Sequence, residues 1–261
     1  MSEFTGRQLE LKEKFIAERG YWSPIWDDIL ALDADFFEAY LDLSSVPWRT
    51  GTLSAKIKEL IYIAIDASTT HLYNAGTRIH MRNALSHGAT KAEIFEVLQL
   101  TSTLGIHSCT VGVPVLIDEM RKAGRGGELP AADLDARRQK LKADFMQARG
   151  YWSPLWEQIL ALSPDYFEAY LKFSSVPWKT GSLEPKVKEF IYIAIDAATT
   201  KLHEPGMRTH IQNALRLGAT AEEIMEILQI VSVLGVHTVT ESVPILLKEV
   251  AAKEKRGAAS G

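Results

Sequence analysis

The chain has 261 residues, 46% of them apolar and 24% charged, with a formal net charge of -4. That length suffices for one large domain or two of about 125 residues with real cores, and the charge offers no general attraction to nucleic acid or anionic membrane. No apolar run approaches the roughly 20 residues that span a bilayer, residues 1–11 are too polar for a secretory signal, and the lone cysteine, Cys109, excludes an internal disulfide; a cytoplasmic setting is expected.

The sequence is written twice, at a constant offset of 130 positions. Arg19-Gly20-Tyr21-Trp22-Ser23-Pro24 returns as Arg149-Gly150-Tyr151-Trp152-Ser153-Pro154, and Ile61-Tyr62-Ile63-Ala64-Ile65-Asp66 as Ile191-Tyr192-Ile193-Ala194-Ile195-Asp196. A period this long signals duplicated modules, not a solenoid. The expected layout is a module over 1–121, a Gly- and Pro-containing linker over 122–133, a second module over 134–252, and a disordered tail over 253–261.

In chain order, 36–43 reads as an amphipathic helix, ended by Pro47 and Gly51. Residues 53–70 are free of Gly and Pro and too long for a strand, so the apolar run 60–65 is assigned to a helix. Pro185 falls in the first turn of its second copy, where proline is tolerated. A helix over 75–87 is followed by Gly88, as a left-handed cap requires. Thr90-x-x-Glu93 then forms a capping box, with Ile94, Val97, Leu98 and Thr101 as the buried stripe of the helix it starts. A last helix covers 107–121. No alternating pattern stands out, and the fold class is all-α.

Some polar residues sit where core helices should be apolar. Glu59, Tyr62, Asp66 and Thr70 form one helical stripe, repeated as Glu189, Tyr192, Asp196 and Thr200. Solvent or a neighbouring domain is the expected environment of Asp66; for Glu59 burial and exposure are evenly weighed. His80 and His210 fall at the edge of an apolar face, over a small alanine, and should point inward. A neutral imidazole there can exchange protons near pH 7, although spacing alone reads first as a core histidine satisfied by a backbone carbonyl. Arg78 and Arg208 lie about 200° around the helix from these histidines. His107 and His237 start the last helix of each copy. His71, His87 and Cys109 have no counterpart, so no role shared by both copies can need them.

The order Lys58-Glu59-Leu60-Ile61, His80, Ala84-Leu85, Gly88-Ala89-Thr90, Glu93-Ile94, Leu98, found again from Lys188 onward, resembles the carboxymuconolactone decarboxylase family, which shares its fold with alkylhydroperoxidase D-like proteins. The resemblance covers about 53–120 and 183–250. It implies two tandem alkylhydroperoxidase D-like helical modules and a homo-oligomer, with three chains forming a pseudo-hexamer. It also implies a small-molecule substrate, with no nucleic-acid or membrane partner. His80 and His210 would be the acid/base groups and Glu59 and Glu189 their orienting partners. His107, His237, Tyr73, His203, Tyr62 and Tyr192 would contact substrate. No cofactor and no metal is implied. The Cys-x-x-Cys of the peroxidase branch is missing: Tyr73 and Gly76, or His203 and Gly206, stand at its positions, so thiol–disulfide cycling is excluded. The expected activity is decarboxylation of a small carboxylated lactone or related cyclic acid. The alternatives are a metal-dependent enzyme using gathered histidines, for which no close ligand spacing exists, and a non-catalytic oligomeric binding protein.

Overall fold

The structure, a computed structural model, describes residues 4–130 and 134–259. The linker positions 131–133 and tail positions 260–261 lie outside the described residues. The first copy runs α1 (Gly6–Arg19), α2 (Asp27–Leu32), α3 (Ala34–Ser44), α4 (Val46–Thr50), α5 (Ala55–Ala67), α6 (Asn74–Ser86), α7 (Lys91–Ser102) and α8 (His107–Lys122). The second runs α9 (Ala136–Arg149), α10 (Pro154–Leu162), α11 (Pro164–Thr180), α12 (Pro185–Ala197), α13 (Glu204–Arg216), α14 (Ala221–Ser232) and α15 (His237–Ala259). No strand occurs among the described residues. The helix α15 covers the described part of the tail expected to be disordered.

Local rules account for the boundaries. Gly88 and Gly218 adopt left-handed backbone, at φ +80° and +82°, and both capping boxes, Thr90 with Glu93 and Thr220 with Glu223, are formed. Gly20 caps α1 at φ +78° and donates its N–H to the Ile16 carbonyl, a conformation costing other residues about 1–2 kcal/mol. The reversal folds Tyr21 and Trp22 back edge-on against Phe15, each at 5.4 Å. It also leaves Arg19 buried at the helix end.

The compact units are divided differently from the copies: one comprises Met1–Ala89 and Glu189–Gly261, the other Thr90–Lys188. In the first, Leu11, Phe15, Trp26, Leu30 and Phe37 of the first copy pack with Val236 of the second. In the other, Leu141, Phe145, Trp156 and Phe167 of the second copy pack with Ile106 of the first. The copies thus exchange the segment before their last helices.

A buried ion pair accompanies each exchange. Within the first unit, Lys58 Nζ lies 3.0 Å from Glu226 Oε1 and donates to the Pro47 carbonyl at 2.6 Å. Glu226 Oε2 accepts from the backbone N–H groups of Thr52 and Leu53 at 2.7 and 3.0 Å. Within the other, Lys188 and Glu96 repeat the arrangement at 2.8 Å, with Ser182 and Leu183 as donors. A Cβ at Gly51 would overlap the Glu226 carboxylate, as one at Gly181 would that of Glu96. The helical stretches that hold these glutamates, Lys91–Lys122 and Ala221–Gly257, are long and apolar enough to cross a membrane by length and composition, which no uninterrupted apolar run reveals.

Replacing Lys58 with Met is expected to destabilise the protein by about 3–5 kcal/mol, because it strands a buried carboxylate. The melting temperature should fall by roughly 10 °C. Lys14→Met, at the exposed pair with Asp42, should change stability by less than about 1 kcal/mol. Equal effects in the two variants would contradict this account.

Candidate active site

The stripe on α5 faces inward. Glu59, Tyr62 and Asp66 are buried, and only Thr70 is exposed. The expectation that Asp66 meets solvent or a neighbouring domain is corrected: α6 and α14 both pack on α5 within the same unit. His80 points inward from α6, but its partner is a carboxylate and not a backbone carbonyl. Its Nδ1 lies 2.6 Å from Glu59 Oε2, and Asn83 donates to Glu59 Oε1 at 3.3 Å. Tyr62 stacks on the His80 ring, with centroids 4.3 Å apart. Since a carboxylate oxygen accepts, His80 carries a hydrogen on Nδ1, and its Nε2 is turned toward Asp66 Oδ2, 3.9 Å away.

The second copy repeats this core. His210 Nδ1 lies 2.6 Å from Glu189 Oε2, Asn213 donates to Glu189 at 3.2 Å, and Tyr192 stacks on His210. Beyond it the copies diverge. His203 accepts the Gly206 N–H through Nδ1 at 3.1 Å, where Tyr73 instead bonds the Thr240 hydroxyl at 2.8 Å.

The histidine that completes the first site comes from the other copy. His237 stacks on Tyr73 at 3.9 Å, and its Nδ1 lies 2.8 Å from His71 Nε2 and 3.8 Å from Asp66 Oδ1. His107 belongs to the other compact unit and does not join Glu59 and His80 within theirs. His71, which no shared role could need, is part of the first site only.

Burial pushes Asp66 up to about 7, with His80 opposing. It drives His237 down to about 3, with His71 and His80 adding to the effect. His71 is lowered by burial against the pull of Glu241, and burial raises Tyr73 to about 12. The histidine pair is therefore neutral near pH 7.

Two cavities meet here. The inner one, about 30 Å³, is lined by Arg19, Tyr62, His80, Tyr73 and His237 and takes a water-sized group. The outer pocket, about 550 Å³, shares Tyr73 and His237 and adds His71 and Glu241. Arg19 is a residue that spacing did not select. Its guanidinium lies over Trp48 and Tyr62 at 5.1 and 5.5 Å, and its Nε and Nη1 have no hydrogen-bond partner. The only sequence signal was its place in the repeated Arg-Gly-Tyr-Trp motif.

These features define a class of duplicated all-helical proteins with a hydrogen-bonded Glu–His pair in each copy. The chain belongs to the carboxymuconolactone decarboxylase family, which it matches over residues 34–105 and 164–245. It is similar to a crystal structure from Burkholderia xenovorans LB400, a protein named provisionally as a gamma-carboxymuconolactone decarboxylase subunit. The two share 50% identity over 95% of this chain and 98% of that one, with a TM-score of 0.89. No curated protein matches the chain.

In ¹⁵N–¹H spectra of the imidazoles, His80 is expected to show a low-field Nδ1–H resonance that disappears in Glu59→Leu. A wild-type His80 protonated on Nε2 alone would contradict the hydrogen-bond assignment.

Proposed function

We propose that the chain catalyses decarboxylation of a small carboxylated lactone or related cyclic acid by acid–base chemistry, with no organic cofactor. The observation that carries this reading is the Glu–His pair present in both copies, at 2.6 Å in each, buried in the first and half-buried at His210 in the second. Loss of CO2 breaks a carbon–carbon bond and leaves its electron pair delocalised into the lactone carbonyl as a dienolate. That dienolate must gain a proton at carbon. A His80 imidazolium can donate it from Nε2, while the Glu59 carboxylate on Nδ1 orients the ring and stabilises its charge. The ring is then reprotonated from solvent.

Arg19 is the anchor for a substrate carboxylate, since its free N–H groups border the same cavity as His80. The inner cavity is too small for such a substrate, so Tyr73 would swing aside to join it to the outer pocket. Tyr62 packs against the reacting histidine, and Tyr73 and His237 line the approach; Tyr192 takes the place of Tyr62 and His203 that of Tyr73 in the second copy, and His107 is assigned no step.

The chain also assembles with copies of itself in this reading. Apolar side chains are exposed at matching positions in the two copies, among them Leu72 and Leu202, Phe95 and Met225, and Val115 and Ile245. Light scattering should give three times the chain mass, and a monomer would dispose of the assembly.

With a carboxylated lactone as substrate, the double variant His80→Asn/His210→Asn should lower CO2 release by about 10²–10⁴-fold while the melting temperature stays near that of the wild type. Unchanged turnover would end the assignment. Arg19→Leu should raise KM more than it lowers kcat.

A further inference from the structure

Asp66 is fully buried, and neither of its carboxylate oxygens has a hydrogen-bond partner. A buried carboxylate in that state is costly unless a cation or a proton compensates it. The second copy shows one compensation. There the corresponding Asp196 is also buried, and Lys201 Nζ lies 2.9 Å from its Oδ1. The residue at the position of Lys201 in the first copy is His71. Where the second copy brings an ammonium to the carboxylate, the first brings an imidazole, and His237 adds another.

We propose that a divalent first-row metal ion of the zinc class binds Asp66, His71 and His237, one ion per chain, in the role that the Lys201 ammonium fills at Asp196. One possible ligand atom from each of Asp66, His71 and His237 lies within 4.8 Å of those of the other two. Tetrahedral zinc, with bonds of about 2.1 Å, wants its ligands roughly 3.4 Å apart. The two ring nitrogens stand at 2.8 Å and His237 Nδ1 to Asp66 Oδ1 at 3.8 Å, so these two separations change by about half an ångström, in opposite directions. Two imidazoles and one carboxylate suit zinc and its first-row neighbours better than magnesium or calcium, which prefer all-oxygen sites. The outer pocket reaches His71 and His237 and provides the path of entry. No close ligand motif announces the site because its third ligand comes from the other copy, 166 positions after His71.

The experiment measures metal uptake, not turnover, so its result is independent of the decarboxylase reading. Chelator-stripped protein is titrated with zinc by calorimetry, and metal is counted after dialysis. The wild type should retain one zinc per chain. His71→Lys, which copies the second site's ammonium, should retain none and keep its fold, as Lys201 is accommodated at the equivalent place. Should that variant fail to fold, His237→Gln carries the same expectation. A wild type that retains no zinc, or uptake unchanged in the folded variant, overturns the proposal.

Discussion

Lys58 and Glu226 lie 3.0 Å apart in a core that excludes water, and neither charge could stay there alone. Glu226 also receives the backbone N–H groups of Thr52 and Leu53, immediately before α5, so the start of that helix is fixed by a residue of the other copy. The helix then carries Glu59, Tyr62 and Asp66 into the unit at set heights. Gly51 belongs to the same constraint, since any side chain there would strike the Glu226 carboxylate. The position of every acid–base group on α5 thus depends on a contact made across the duplication.

The two carboxylates of α5 have opposite fates. Glu59 is satisfied by His80 and Asn83, and its carboxylate directs the imidazole. Asp66, seven residues on, receives no hydrogen bond at all. The histidine thus has a hydrogen-bonded carboxylate on its Nδ1 side and, 3.9 Å from Nε2, a carboxylate that burial raises to about 7. That asymmetry suits a ring that must hold a proton on Nε2 and release it.

Much of this was legible in sequence because it rests on local periodicity. The helix assignments, the glycine caps, the capping boxes and the inward direction of His80 follow from spacing within single helices. The Glu59–His80 pair was also within reach, since both copies keep both residues. The exchange between copies was not, because each copy contains the full set of helices and nothing in its pattern says which copy's α14 or α7 it packs against. Hence His237 and not His107 meets His71 and Tyr73. The exposure expected of Asp66 failed because its stripe is polar and so reads as solvent-facing, whereas the next helix α6 and His237 of the other copy both cover it.

The peroxidase-type cysteine pair is missing for a packing reason as well as a chemical one. Gly76 stands where the second thiol of that branch would be, and a Cβ there would overlap Asp66 Oδ2; Gly206 and Asp196 repeat the conflict. The carboxylate and the ring three residues before each glycine together fill the space a thiol would need. A cysteine at 76 would have to displace both Asp66 and the Tyr73 ring, and one at 206 both Asp196 and His203. In both copies of this chain that space beside the helix is closed by a carboxylate from the preceding core helix, Asp66 of α5 and Asp196 of α12, so the packing and the missing thiols point the same way.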